Sequence, residues 1–209
     1  MKNLSKGQIT RLKVLEAAKS EFATNGFKGT SLLEVAKKAG VTTGSVYCYF
    51  ESKEHLYESV VDDTFEEFMA VYSRCYADQI DFIKTESREE IFGFIKKRTM
   101  DLVEFVYDHY EEILSILKAP EDTKYFTFRE TIVEEGVEQF ILMLKHLKNI
   151  GIGRDSIDRD EVRYQVRAEA NSIFSIILEE PDKNRAMELM QKMEFFFRSG
   201  YIASHQLMV

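Results

Sequence analysis

The chain has 209 residues, 44% hydrophobic and 31% charged, with two prolines, ten glycines and a formal net charge of −8. These are the proportions of an ordinary globular protein, and so few helix breakers argue against a strand-rich fold with many tight turns. No apolar run approaches the roughly 20 residues of a membrane-spanning helix, the segment MKNLSKGQIT lacks the apolar stretch of a signal peptide, and Cys48 and Cys75 fit neither a disulfide framework nor a zinc spacing; a cytoplasmic protein without metal or cofactor is expected.

In chain order, Ile9, Leu12, Leu15, Ala18 and Phe22 form the apolar stripe of a first helix. Asn25-Gly26 ends it, since glycine accepts the left-handed conformation at a helix C-terminus. Ser31, with Glu34 three residues on, is a capping-box signature for a second helix. That helix turns Leu32, Val35, Ala36 and Ala39 inward, turns Lys37 and Lys38 outward, and stops at Gly40. Thr42 or Thr43 caps a third helix running to about Phe50. Two short helices joined by a glycine-containing turn make a helix-turn-helix unit. Val41 and Val46 are placed to pack the pair, leaving Thr43, Gly44, Ser45, Tyr47 and Tyr49 around its outer face.

A long fourth helix begins at Lys53, with Leu56, Val60, Phe65 and Phe68 as its buried positions. The pattern then predicts helices over about 87–118, bent near Asp108-His109 and ended before Pro120, and over 124–149. A loop at 151–159 leads to helices over 160–179 and 183–203 that flank Pro181. The fold class is all-α. Residues 1–53 are read as one domain and 54–209 as a larger helical one.

Charge divides the same way. Residues 1–53 carry nine Lys/Arg against four Asp/Glu, a net +5; residues 54–209 carry nineteen against thirty-two, a net −13. A basic head on an acidic body points to a polyanion as the partner of the head.

The run AGVTTGSVYCYFESKEHLYESV resembles the tetracycline-repressor (TetR) family of bacterial transcription regulators. The resemblance covers roughly residues 8–65, or to 68 with the linking helix. It takes in Ile9, Leu15, Ala18 and Phe22, the Gly26-Phe27 turn, Thr30-Ser31, Val35-Ala36 and Ala39-Gly40-Val41. It continues through Gly44-Ser45-Val46-Tyr47, Tyr49-Phe50 and Ser52-Lys53-Glu54. Cys48, Glu51 and His55 depart from the family pattern; His55 stands where an acid would complete a capping box with Ser52. The resemblance implies an N-terminal DNA-binding domain of three helices, followed by a helical domain for effector binding and dimerisation. It implies a repressor released from a palindromic operator by a small molecule.

The residue chemistry agrees. A recognition helix brings its N-terminal residues to base edges in the major groove, and Thr42, Thr43, Gly44 and Ser45 lie at that end. Gly44 permits close backbone approach, while Thr43 and Ser45 can exchange hydrogen bonds with bases or touch a thymine methyl. Tyr47 and Tyr49 suit phosphates through their hydroxyls, Lys53 supplies a cation, and Thr30 and Ser31 sit where a helix dipole favours a phosphate. The thiol of Cys48 is read as a small filler in preference to an oxidation switch.

In the acidic body, Val162, Val166, Ala170, Ile173 and Ile177 form one stripe, and Leu189, Met193, Phe196 and Gly200 another. The resemblance implies that these two helices pair across a homodimer as a four-helix bundle. It also places an effector pocket among the middle helices, where Leu102, Phe105, Val106, His109, Tyr110, Phe128 and Phe140 are the candidate lining. No catalytic constellation accompanies them, so the chain is not read as an enzyme. The rival reading is an all-helical, magnesium-dependent isoprenoid-diphosphate enzyme, with Asp62, Asp63 and Glu66 facing Asn171, Ser175 and Glu179 as metal ligands. Ser172, where an acid is expected, weighs against it.

Overall fold

The computed structural model describes residues 5–83, 87–121, 123–154 and 156–207. These form the helices α1 (Lys6–Gly29), α2 (Leu32–Ala39), α3 (Thr43–Tyr47), α4 (Lys53–Ile83), α5 (Arg88–Asp108), α6 (Tyr110–Leu117), α7 (Lys124–Asn149), α8 (Arg159–Glu179) and α9 (Lys183–Ser204), with no strand among the described residues. The chain divides into two compact units. The first comprises Met1–Phe68 and His109–Phe126; the second comprises Met69–Asp108 and Thr127–Val209. α4 contributes residues to both.

In the first unit α1 packs against α2 and α6. Its N-terminus is fixed by a full capping box: Ser5 Oγ accepts from the Gln8 N–H, and Gln8 returns a bond to the Ser5 N–H. At Gly26 the backbone turns to φ 67°, leaving one last helical turn to Gly29. The carbonyls freed at this break are taken up from the end of α6, where Lys118 Nζ donates to the oxygens of Ala23 and Thr24. Inside lies an aromatic cluster. Tyr57 meets Phe22 edge-on at 5.1 Å and Phe27 at 5.2 Å, and its hydroxyl donates to Ser115 O at 3.0 Å.

The buried stripe of α1 differs from the expected one. Val14, Ala17, Ala18, Phe22 and Ala23 are buried, whereas Ile9 and Leu12 are 43% and 46% exposed. The polar ties between α1 and α6 fall on the later turns, from Lys19 with Glu112 to Lys118 at Ala23 and Thr24, well beyond Leu12. On α4 Leu56 and Phe68 are buried as expected, but Val61 is buried in place of Val60, and Val60 and Phe65 are half-buried.

The second unit holds the larger core, where Ile91, Val133, Val137, Met143, Leu144, Leu147 and Val162 are buried together. α7 and α8 approach closely at Gly136, where a Cβ would sit 3.0 Å from a Val166 methyl. Their flanks are joined by ion pairs at four-residue spacing: Arg159–Glu138 at 2.6 Å, Arg163–Glu134 at 2.8 Å and Arg167–Glu130 at 2.7 Å. Such half-exposed pairs fix register more than they add stability. Gly151 and Gly153, both at positive φ, shape the turn after α7; Asp155 of the expected loop lies outside the described residues.

Candidate nucleic-acid interface

The turn between α2 and α3 is built by Gly40 in the left-handed conformation, φ 68° and ψ 35°. The Gly40 N–H reaches Lys37 O at 3.2 Å and the Val41 N–H reaches Ala36 O at 2.9 Å, closing the end of α2. Thr42 then caps α3. Its Oγ1 accepts from the Ser45 N–H at 3.1 Å and lies 2.9 Å from Ser45 Oγ. Val46 is fully buried and anchors α3, so the helix turns Gly44 and Tyr47 outward, Tyr47 being 55% exposed; Thr43, Ser45 and Tyr49 are half-buried.

Other expected contact residues turn out to have structural work. Thr30 is buried, its hydroxyl donating to Gly26 O at 2.9 Å and Glu21 O at 3.1 Å. Ser31 is exposed and caps α2 through Glu34 N–H. The ammonium of Lys53 donates to Thr30 O at 2.8 Å and sits 4.4 Å from the Phe27 ring centre. It holds the start of α4 to the end of α1. Lys38, expected to point outward, reaches back to Ser20 Oγ at 2.8 Å and Glu21 at 3.0 Å. At the start of α4, Ser52 Oγ accepts from the His55 N–H and His55 Nδ1 accepts from the Glu51 N–H. The histidine thus returns a bond to the backbone as an acid would in a capping box, one residue further back.

One acid of the rival reading is engaged elsewhere. Asp62 pairs with Lys124 at 2.6 Å and accepts from Tyr125 Oη at 2.6 Å. Burial by itself raises its carboxyl, but these two bonds outweigh it and hold Asp62 below the ordinary carboxylate range. Asn171, Ser175 and Glu179 are exposed on α8.

The second unit contains a cavity of about 220 Å³ between α4, α5, α7, α8 and α9. Of the candidate lining, Leu102 and Phe140 reach it. Phe128 and Val106 are buried elsewhere in the unit and Phe105 is half-buried; His109 and Tyr110 belong to the first unit. Sequence spacing missed the polar lining: Gln79 donating to Gln139 at 2.5 Å, and Tyr201 Oη donating to Glu169 Oε2 at 2.7 Å. Burial pushes the Glu169 carboxyl above its ordinary value, against the pull of the Tyr201 bond and with the help of nearby Glu194.

The stripes read as dimer surface also sort by depth. Val162 and Ile177 are buried within the unit, Val166 and Ala170 pack on its core, and Ile173 and Met193 line the cavity. Leu189 is half-buried. Phe196 and Gly200 lie on the outer face of α8 and α9 beside Tyr164, Ala168 and Phe195.

Two short helices joined through a left-handed glycine, the second capped and carrying exposed polar residues, define a helix-turn-helix protein. Residues 14–60 match the sequence profile of bacterial regulatory proteins, tetR family. The chain is 42% identical over 59 residues to the HTH-type transcriptional regulator YdgC of Bacillus subtilis, covering 28% of this chain and 30% of that protein. It is 29% identical over 143 residues to the probable regulator YttP of the same organism, covering 66% and 60%. The matches thus span less than two thirds of either relative. The fold is similar over 91% of this chain and 93% of the ketosteroid transcriptional regulator KstR2 of Mycobacterium tuberculosis, with a TM-score of 0.59 at 20% identity. Residues 14–60 thus carry the DNA-binding pattern of the TetR family of bacterial regulatory proteins, and the remainder shares the fold of its solved members. These relatives are transcriptional regulators, and nothing in them supports the isoprenoid-diphosphate reading. Among the described residues no helix is long and apolar enough to cross a membrane.

Proposed function

We propose that the protein is a cytoplasmic, non-enzymatic transcriptional repressor that binds a palindromic DNA operator as a homodimer and leaves it when a small molecule occupies the second unit. The observation that carries this reading is α3, a short helix capped by Thr42 and anchored by Val46, with Gly44 and Tyr47 exposed beside Thr43 and Ser45. Thr43 and Ser45 meet base edges, Gly44 lets the backbone approach, and Tyr47 and Tyr49 reach phosphates. Ser31 adds a phosphate contact at the start of α2, while Thr30 and Lys53 position the helices.

Effector and operator compete through conformation. A ligand that prefers a state with displaced recognition helices lowers operator affinity by its differential affinity for the two states. We assign α4 as the lever because its residues belong to both units. KstR2 of Mycobacterium tuberculosis is a ketosteroid transcriptional regulator; the present cavity argues for a different chemistry, developed below.

The test is selection of bound duplexes from a randomised DNA pool by the purified protein at moderate salt. An inverted repeat is expected. Thr43→Ala should then change preference at one position of each half-site, whereas Thr42→Ala should weaken every duplex alike, by roughly 1 kcal/mol of lost capping. A folded protein that enriches no sequence overturns the reading.

A further inference from the structure

The cavity of the second unit has a mostly apolar wall with one polar anomaly. Phe92, Phe140, Met143, Met190 and Met193 supply aromatic and thioether surface, a lining that accepts an apolar body and adapts to its shape. The cations at the cavity have anions of their own. Arg98 pairs with Asp78 at 2.8 Å, while Arg198 and Lys96 share Glu194 at 3.3 and 4.0 Å. Glu169 differs: its carboxyl holds the Tyr201 hydroxyl at 2.7 Å, and no cation pairs with it among the described residues.

A carboxyl in such surroundings is costly as an anion until a cation reaches it. Phe140, its ring 4.5 Å from that of Tyr201, adds aromatic surface beside the acid, which also favours a cation. We propose that this cavity binds a small apolar molecule bearing a protonated amine, with the ammonium seated at Glu169 and the apolar body against the methionines and Phe140. This assignment rests on reading the second unit as the effector-binding part of a regulator and names the chemical class of that effector. A carboxylate ligand would face both Glu169 and Glu194, and a neutral alcohol of the same shape would fill the space without neutralising the acid.

The experiment titrates the full-length protein calorimetrically with phenylbutylamine, phenylbutanol and phenylbutyrate, which share one apolar body. The amine should bind at least about tenfold tighter than the alcohol, as a charge-assisted hydrogen bond implies, and the acid should bind weakest. Glu169→Gln keeps the shape and an acceptor for Tyr201, and should bring the amine down to the affinity of the alcohol. Equal binding of amine and alcohol by the unaltered protein overturns the proposal, whether or not the variant folds. So does an amine that fails to bind at millimolar concentration, or an amine preference that survives Glu169→Gln. The duplex selection is independent of these titrations. An inverted repeat recovered alongside a failed amine ranking removes the ligand class and leaves the regulator. The expected ranking without any enriched duplex keeps the ligand class and removes the regulator.

Discussion

At the scale of single residues, Lys53 shows how a sequence-level cation acquires a role from its neighbours. With its ammonium 2.8 Å from Thr30 O and over the Phe27 ring, it joins α4 to the end of α1. We therefore expect Lys53→Ala to lower stability by about 1.5 kcal/mol, the low end for a hydrogen bond from a charged group, and to leave the salt dependence of DNA binding unchanged. A neutralised phosphate contact would instead flatten the slope of log K against log salt by about one. Denaturant melts together with binding at several salt concentrations separate the two.

Glu169 makes a second residue-scale prediction, through pH. Its native carboxyl holds a proton to higher pH than the unfolded chain, whose value is near 4.5. The native state thus binds more protons than the unfolded state between those two values, so stability falls as pH rises across that window. The contribution is fully present below about 4.5 and is lost once pH passes the raised native value. Glu169→Gln removes the titration, and its stability should decline less than that of the parent as pH rises from 4.5 toward neutrality. Parallel stability–pH curves for the two proteins would show that Glu169 is ionised in both states.

At the scale of elements, the α2–α3 turn depends on one backbone conformation. Gly40 sits at φ 68°, and a Cβ added there would have no atom within 4 Å, so a side chain meets no clash and carries only the conformational cost. Gly40→Ala should cost about 1 kcal/mol, and Gly40→Asn less, because asparagine tolerates the left-handed region. Thermal melts of the three proteins check the order; equal values for alanine and asparagine would mean that the turn relaxes to another conformation.

The same turn explains what was legible in the sequence. Gly40 and the Ser31 cap are local signals, read correctly because the bonds they make span no more than five residues, and the cap of α3, open between Thr42 and Thr43 in the sequence, falls on Thr42. The break at His109 and the bounds of α7 also fall where the sequence pattern puts them. What failed to show was long-range. Val14 replaces Ile9 and Leu12 in the core because α6, nearly a hundred residues later, packs on the later turns of α1. Glu169 and Tyr201 meet across 32 positions, and no periodicity along either helix marks that pairing. Nor could spacing alone separate the buried side of α8, at Val162 and Ile177, from its exposed side at Tyr164.

At the scale of the whole molecule, the outer face of α8 and α9 carries the surface that a second copy can use. Tyr164 is 75% exposed, Phe195 63% and Phe196 65%, with small Ala168 and Gly200 between them. Three large aromatics side by side on an exposed surface mark an interaction face. An operator read by two-fold symmetry requires two recognition helices about 34 Å apart, which takes two copies of α3. Phe196→Asp places a charge on this face while leaving the core of its own protomer untouched. We expect the variant to melt within about 0.5 kcal/mol of the parent, as surface substitutions do. In sedimentation the proposed dimer of the parent should give way to monomer in the variant at the same concentration, with association weakened about 30-fold, as the loss of a central anchor implies. Operator binding should fall with it, since each monomer then meets only a half-site. A variant that remains dimeric and keeps full operator affinity would move the interface to a different face of the second unit.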